Sequence, residues 1–299
     1  MKPEISIVIP SYKPGNRLFH LLESLRGQSL RSPREILVVD SSPAPLGRDV
    51  TGRFPEVRFV HLPRRTLPGK ARTLGAGMAM GEIVFFIDTD CVADPEWLAR
   101  LRGAIRAGHA MAGGSVLNGT PGSAVGTAEY LLEFNEANPG MPRREVRAVP
   151  SCSLAVEKRI FREVGGFPDF MKGEDTIFCE RVVQKGHKLL FVPEAKITHQ
   201  NRTELGRYLK NQVALGEGSM ETRRRIARHG QFLLRFPALV AFIPAYRSIA
   251  IAGRFLRSDR KLLAGFILHY PLILLGMLFF TWGFIRGPHR SGLSTEKKT

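Results

Sequence analysis

The stretch IVFFIDTD, residues 83–90, decides the fold of this chain, because an unbroken apolar run leads directly into Asp88 and Asp90. A run without polar alternation is typical of a strand covered on both faces, as in a parallel sheet flanked by helices. Ligands bind at the carboxyl edge of such sheets, and two carboxylates there could hold a divalent cation that bridges nucleotide phosphates. Acid pairs also cap helices, but Asp94-Pro95 already supplies a cap for the next helix, so the pair indicates a metal and nucleotide site.

Strand-like runs alternate with amphipathic stretches from Ile5 to about Asn118. The runs are ISIVIP, EILVVD, VRFVHL, IVFFID and AMAGGSVLN. Two sets of apolar residues follow the spacing of one helix face, namely Leu18, Leu21, Leu22 and Leu25, and Leu98, Leu101 and Ile105 before a closing Gly108. This order predicts an α/β domain whose helices pack on a sheet.

The following part of the chain continues the alternation. It predicts a helix near 124–135, then a loop rich in Gly, Pro and charge, a helix from Asp175 to Lys185, and a strand, KLLFVPEAKITH, that ends on His199.

Positive charge is concentrated in the last third of the chain. The net charge is +17, of which the last 99 residues carry +12. Such a segment is typical of proteins that bind nucleic acid or an anionic membrane surface. Here long apolar runs separate the cations, whereas nucleic-acid binding predicts interleaved basic and aromatic residues. We therefore expect a membrane partner and no nucleic acid.

Two apolar runs could contact the membrane. Leu262–Ile285 has no acidic or strongly basic side chain and exceeds the ~20 residues needed to cross a bilayer. Phe232–Phe255 contains arginines and prolines, so it would span only with strain and fits the interface better. Cations flank both runs: Arg223, Arg224, Arg225, Arg228, Arg254, Arg257, Arg260, Lys261, Arg286 and Arg290. Positive-inside logic favours re-entrant or interfacial helices, with a buried helical subdomain as the alternative.

The compartment is predicted to be the cytoplasm. The N-terminus begins with a strand and shows no charged region followed by a long apolar region, so we expect no cleavable secretion signal. Cys91, Cys152 and Cys179 are widely spaced and form no paired motif, which suits a reducing compartment.

Three polar residues of the first half are further candidates, each with a plain alternative. Asp40 ends its strand as Asp88 does, so both should emerge at one edge of the sheet, although Asp before Ser-Ser-Pro also begins turns. Lys70 and Arg72 lie on a helix of small residues, where cations could meet phosphate oxygens. A solvated helix face is the favoured explanation for Lys70 and the weaker one for Arg72.

Two sites in the second half carry the remaining chemistry. Glu174 and Asp175 begin a helix, where the macrodipole stabilises negative charge. Capping explains one acid, and the second would suit a general base that removes a hydroxyl proton. His199 ends a strand and could complete a metal site with carboxylates, although a lone surface histidine is common.

In combination these motifs resemble glycosyltransferase family 2, the inverting nucleotide-sugar transferases of GT-A fold, over roughly residues 4–220. The opening SIVIPSYK is similar to the first strand of that family, VVDSS to the next, KARTLGAGMAMGE to a helix that supports the nucleotide, FFIDTD to the DXD element, and VGGFPDFMKGED to the acceptor-side segment. Thr73 and Ser41 depart from the common pattern and leave the nucleotide base open. The Gln-x-x-Arg-Trp element of processive synthases is absent, so single-sugar addition is expected.

The resemblance implies a role for each candidate residue. Pro10, Ser11, Tyr12, Asp40, Lys70, Arg72 and Asp88 would bind the nucleotide sugar; Asp90, Asp88 and His199 would bind Mn²⁺ or Mg²⁺; and Asp175 would be the base, beside Glu174.

It also implies an α/β GT-A domain, a Rossmann-like and mostly parallel sheet with flanking helices, over residues 1–220, followed by a basic, apolar, membrane-associated region over 221–299. The acceptor would be a glycan or lipid-linked molecule such as a lipid-linked sugar or polyprenyl phosphate, met at the cytoplasmic face of the inner membrane. Two alternatives remain: a sugar nucleotidyltransferase, and a non-catalytic nucleic-acid-binding protein.

Overall fold

A computed structural model of the chain describes residues 2–226 and 231–287, and in it the predicted alternation of strands and helices is confirmed. The strands are β1 (Ile5–Ser11), β2 (Arg34–Asp40), β3 (Val57–His61), β4 (Ile83–Phe86), β5 (Cys91–Ala93), β6 (Met111–Asn118), β7 (Arg144–Glu145), β8 (Leu154–Glu157) and β9 (Leu189–His199). The helices are α1 (Arg17–Arg26), α2 (Gly47–Arg53), α3 (Pro68–Met78), α4 (Trp97–Arg106), α5 (Ala124–Glu133), α6 (Lys158–Glu163), α7 (Glu174–Gln184), α8 (Leu205–Arg225), α9 (Phe232–Arg235), α10 (Ile243–Ser258), α11 (Arg260–Leu268) and α12 (Tyr270–Arg286).

The described strands form one sheet in the order β3-β2-β1-β4-β8-β6-β9-β5, with β7 paired to β9. The first four strands in this order are parallel, so their carboxyl ends meet at one edge. Beyond β4 the sheet is mixed, because β8 runs antiparallel to both β4 and β6 while β6 and β9 are parallel. The predicted parallel character therefore belongs to the first half, which holds Asp40 and leads into Asp88.

The predicted helix faces lie in the core. The four leucines of α1 are buried, and so are Leu98, Leu101 and Ile105 of α4. Close packing of α3 on the sheet requires its small residues, because a Cβ on Gly75 would overlap the side chain of Val8. Helix α4 begins at Trp97 rather than Pro95, since Asp94 forms a turn in which its carboxylate accepts from the Glu96 N–H.

The apolar run Leu262–Ile285, a predicted membrane candidate, is not one straight helix. The segment is two helices, α11 and α12, bent by 78°. The break lies before Pro271, whose ring clashes with the carbonyl four residues earlier and disfavours helical geometry in the residue before it. By length and composition, one helix among the described residues could cross a membrane, Ala238–Ser258, and it overlaps the run that the sequence assigned to the interface. A second candidate arises if α11 and α12 are counted as one bent span.

A second apolar core joins the C-terminal helices to the α/β domain. It consists of Ala128, Tyr130, Leu131, Leu132, Tyr208, Ile251, Phe255, Phe266, Ile273 and Met277. The predicted domain boundary at residue 220 falls inside α8, which packs along α12. Of the predicted flanking cations, Arg228 and Arg290 lie outside the described residues.

Candidate active site

The carboxyl ends of β1 and β2 form one side of the site. Ser11 and Asp40 are paired in register, and the buried Asp40 carboxylate accepts hydrogen bonds from the hydroxyls of Ser11, at 2.7 Å, and Ser42, at 2.8 Å. Pro10 is buried in β1, and the partly exposed Tyr12 follows it with the Arg65 guanidinium 4.8 Å from its ring centre. The edge thus offers an aromatic surface beside a firmly oriented carboxylate.

Arg72 of α3 connects two of the predicted motifs. Its guanidinium Nη2 donates to Asp88 at 2.6 Å and its Nη1 donates to Glu174 at 3.0 Å, while the residue is only 2% exposed. Burial alone lowers the pKa of Arg72, but the two carboxylates outweigh burial and raise that pKa above its ordinary value. Arg72 is therefore a permanent cation that joins the end of β4 to the start of α7.

Glu174 and Asp175 have different surroundings at the start of α7. Glu174 is buried against Arg72; burial, followed by repulsion from Asp175, raises the pKa of Glu174 to about 7, although Arg72 opposes the shift. Asp175 is partly exposed, and one of its oxygens accepts from the N–H of Thr176 at 2.7 Å. Gly173, with φ of +90°, precedes them in the left-handed region that glycine adopts without strain. Of the two acids, Asp175 is the one that solvent can reach.

Asp90 and His199 meet where β5 pairs with the end of β9. His199 Nε2 lies 3.6 Å from Asp90 Oδ1, and the ring packs on Phe134. The Asn201 amide group fixes the imidazole tautomer: its Nδ2 donates to Asn118 at 2.9 Å, so its Oδ1 faces His199 Nδ1 at 2.9 Å as an acceptor. In the neutral ring Nδ1 then carries the proton, and the Nε2 lone pair points to the carboxylate.

This pair of electron donors fits a cation. A lone pair and a carboxylate oxygen that face each other repel unless a proton or metal ion lies between them, and imidazole and carboxylate are common ligands of divalent metals. The Cys91 thiol lies in the same group, with the ligand atoms of the three residues all within 4.8 Å of one another. Burial raises the pKa of Cys91 well above its ordinary value, so the thiol stays protonated and packs against Cys152. Asp90 and His199 are thus positioned so that they could hold a divalent cation.

Lys70 lies apart from this network. It is exposed on α3 and its ammonium group lies 3.4 Å from Asp169, which agrees with the solvated helix face favoured for it. The surroundings of Asp90 instead include residues that no sequence motif indicated.

A cavity of about 150 Å³ opens beside Asp90, lined also by Arg17, Gln200, Arg202, Thr203, Glu204 and Arg207. Its cations come from α1, from the segment after β9 and from the first turn of α8. Arg202 follows His199 closely in the sequence. A basic residue just beyond the end of a strand is the sequence feature that could have indicated this cavity. The cavity places positive charge next to the Asp90 and His199 pair, whereas Asp175 is not among its lining residues.

Comparison with known proteins gives a consistent result. The family model of "Glycosyl transferase family 2" matches residues 6–165. The pre-mycofactocin glycosyltransferase of Mycobacterium tuberculosis is 28% identical over 224 residues, 71% of this chain and 46% of that protein. Glycosyltransferase AglE of Haloferax volcanii is 25% identical over 252 residues, 81% of this chain and 82% of that protein. This chain thus spans just under half the length of its mycobacterial relative.

A solved structure supports the same fold. The mannosyltransferase PcManGT of Pyrobaculum calidifontis, in complex with GDP-Man and Mn²⁺, superposes with a TM-score of 0.62 at 14% identity, covering 95% of this chain and 88% of that one. The α/β GT-A fold predicted from the sequence is confirmed by this likeness.

Proposed function

This chain belongs to glycosyl transferase family 2, and from that premise we propose that it moves one sugar from a nucleotide-diphosphate sugar to a hydroxyl or phosphate of an acceptor. The observation that carries the proposal is the Arg72 bridge from Asp88 to Glu174. It brings the acidic end of the central strand and the acidic start of α7 into one site, as a donor and an acceptor that react with each other require.

The donor would lie along the carboxyl edge of the sheet. Ser11, Tyr12 and Asp40 would contact the nucleoside, and Asp88 the ribose side. The arginines of the cavity beside Asp90 would meet the diphosphate, since guanidinium groups match phosphate oxygens in geometry and charge. Contacts around Asp40 would determine which nucleotide base is bound. The edge of the sheet is compatible with several bases.

Asp90 and His199 would hold a divalent cation, Mn²⁺ or Mg²⁺, with the carboxylate of Asp88 as a further candidate. When bound, such an ion stabilises negative charge on the departing nucleotide diphosphate. The presence of Mn²⁺ and GDP-Man in the PcManGT complex supports a divalent cation in this enzyme. The opposed lone pair and carboxylate at 3.6 Å support it independently of any relative.

Asp175 would act as the general base. Its carboxylate takes the proton of the acceptor hydroxyl while the acceptor oxygen attacks the anomeric carbon from the face opposite the diphosphate. The new C–O bond forms as the bond to the phosphate oxygen breaks, and the electron pair leaves with the diphosphate. One displacement inverts the anomeric centre. Glu174, held by Arg72, would position α7 rather than take the proton.

The acceptor is proposed to be held in a membrane, as a lipid-linked sugar or polyprenyl phosphate, at the cytoplasmic face of the inner membrane. Large apolar side chains exposed on α10, α11 and α12 support this, together with the cations between them. The C-terminal region over 221–299 would then keep the enzyme where its acceptor is.

The test is a thermal-shift panel of UDP-, GDP- and dTDP-sugars with and without Mn²⁺, followed by transfer assays, because a bound ligand stabilises the fold. We expect one nucleotide to raise the melting temperature, and more so with Mn²⁺. Asp90→Ala should abolish metal-dependent turnover, and Asp175→Asn should abolish transfer while sparing donor binding. Asp49→Asn, an exposed acid on α2, is the matched control.

Full transfer by Asp175→Asn would remove the base assignment, and no stabilisation by any nucleotide sugar would count against the reaction itself. Release of pyrophosphate would instead favour the nucleotidyltransferase alternative.

A further inference from the structure

The C-terminal helices carry an apolar surface on the side away from the α/β domain. On α10 and the turn before it, Phe242, Tyr246, Ile249 and Leu256 follow one helical stripe, and Ile249 is 75% exposed. The same kind of exposure continues on the next two helices, and we call the whole set the apolar face: Phe242, Tyr246, Ile249, Leu256, Ile267, Leu268, Leu278, Trp282 and Ile285. Large apolar side chains exposed on three successive helices indicate an interaction site.

The opposite sides of these helices are already occupied. Ile251, Phe255, Phe266, Ile273 and Met277 are buried in the second core. Arg254 also ties α10 to the α/β domain through Glu136, with a distance of 2.8 Å between guanidinium and carboxylate. Each helix therefore packs one face against the rest of the protein and exposes the other face to solvent.

Helix α12 cannot leave the α/β domain to enter a bilayer. It lies directly along α8, because a Cβ on Gly216 would overlap the backbone of Phe280 and a Cβ on Gly283 would overlap that of Val213. The Tyr208 hydroxyl, also on α8, donates to the Leu272 carbonyl at 3.1 Å. Any membrane that surrounded α12 would have to surround α8 as well.

Helix α8 is unfit for the hydrocarbon core. It carries Arg207, Lys210, Glu217, Glu221, Arg223, Arg224 and Arg225, and its first turn follows closely after His199. Charged side chains are costly at the bilayer centre, so α8 must stay in water or at the protein interior. Hence α12 meets the membrane with its outer face only.

Charge identifies the partner. Residues 231–287 contain Arg235, Arg247, Arg254, Arg257, Arg260, Lys261 and Arg286 but, as acids, only Asp259. The Asp259 carboxylate is used within the fold, where it accepts from the Lys261 N–H at 2.8 Å and caps α11. Exposed Arg257, Arg260 and Lys261 flank the apolar face, and Asp259 is the single acidic residue of residues 231–287 beside these three cations. Apolar residues bordered by cations match an anionic lipid surface.

We propose that the apolar face is a monotopic membrane-docking surface that inserts into the interfacial region of one anionic leaflet, and that the described helices do not cross the bilayer. The purpose of such a surface rests on the proposed function, because a membrane-held acceptor must meet Asp175. Its existence can be tested without measuring sugar transfer.

Trp282 provides a built-in probe. The chain has two tryptophans, of which Trp97 is fully buried in the α/β core and Trp282 is 53% exposed on the apolar face. The full chain would be mixed with phosphatidylcholine vesicles with and without phosphatidylglycerol, containing lipids brominated at shallow or deep acyl positions. We expect binding to anionic vesicles at least tenfold tighter than to neutral ones, and quenching strongest by the shallow bromines. Trp282→Phe should remove that quenching.

Two variants separate the apolar and basic contributions. Ile249→Glu combined with Leu268→Glu should reduce vesicle binding at least tenfold, and Arg257→Glu combined with Lys261→Glu should abolish the preference for anionic lipid. Met80→Glu, an equally apolar and 52% exposed site on the α/β domain, should bind like the wild type. Circular dichroism and donor-induced thermal shifts confirm that each variant is folded.

Several results would overturn the assignment. They are an absence of vesicle binding by the folded wild type, self-association through this face without lipid binding, strongest quenching by deep bromines, or a protease-protected fragment from 231–287 in sealed vesicles. Failure of the donor thermal shift with vesicle binding intact would count against the proposed reaction and leave the docking surface standing.

Discussion

Replacement of Asn201 by leucine tests how Asp90 and His199 are prepared for a cation. The Asn201 Oδ1 accepts the Nδ1 proton of His199 at 2.9 Å, and this contact leaves the Nε2 lone pair facing Asp90. Leucine has a similar size but accepts no hydrogen bond. The imidazole would then favour the other tautomer, with its proton on Nε2, and that proton would have to be displaced before a metal could bind.

The expected loss is a 10- to 100-fold weaker affinity for Mn²⁺, the range usual for changes to the partners of metal-bound histidines. This corresponds to about 1.4–2.8 kcal/mol, at about 1.4 kcal/mol per tenfold change. The value agrees with the burial of the site, because leaving a buried donor without an acceptor costs about 1–3 kcal/mol. His199 is buried on one side by Phe134, so water has limited access to replace the amide oxygen.

Isothermal titration of Mn²⁺ into the full chain, with UDP or GDP present, measures this affinity. Asn201→Asp is the matched control: it also loses the amide donor to Asn118 and Thr120 but keeps an oxygen acceptor for His199. We expect Asn201→Asp to bind within a few-fold of the wild type. Wild-type affinity in Asn201→Leu, or equal losses in the two variants with both folded, would refute the tautomer reasoning.

Three further outcomes are expected. Arg72→Met should lower the free energy of unfolding by about 3–5 kcal/mol in urea titrations, because it leaves two carboxylates without their buried cation. Arg72→Lys should have an intermediate stability. Equal stability of the wild type and both variants would contradict the ion-pair bridge. Burial, followed by repulsion from Glu129, raises the pKa of Glu133 to about 7 from 4.5, so its contribution to stability is complete below pH 4.5 and is lost as the pH rises through 7. Glu133→Gln should therefore reduce the fall in melting temperature between pH 5 and 8, and an unchanged slope would show that Glu133 ionises normally. Gly283→Leu should separate α12 from α8 and lower the melting temperature by several degrees, whereas Gly253→Leu, with open space around it, should not.

The sequence predicted those parts of the fold that periodicity determines. Strand-like apolar runs identified β1 to β4, β6 and β9 but not the short β5, β7 and β8. Leucine spacing identified the buried faces of α1 and α4. It also distinguished Arg72 from Lys70 in part. The two residues lie about 200° apart around α3 at 100° per residue, so when one faces the sheet and its carboxylates the other faces solvent.

Other features depend on geometry that no local pattern contains. The bend before Pro271 escaped detection because apolar content stays high on both sides of it, while the ring removes the helical conformation at one point. The role of Asn201 depends on a side-chain contact to Asn118, far away in the chain, which orients its amide group. The different surroundings of Glu174 and Asp175 depend likewise on Arg72, a residue of a different helix.

If the apolar face rests on a leaflet as proposed, the parallel pairing of α8 with α12 fixes the distance from Asp90 and His199 to the lipid. Packed helices have axes about 8–10 Å apart. With α12 on a leaflet, the axis of α8 would therefore lie about 8–10 Å further from the membrane than that of α12. His199 and Asp90 lie near the N-terminal end of α8. This fixed distance would select acceptors by their length. A sugar or phosphate next to the lipid headgroups would reach Asp90 and His199, whereas the tip of a long glycan would extend past them.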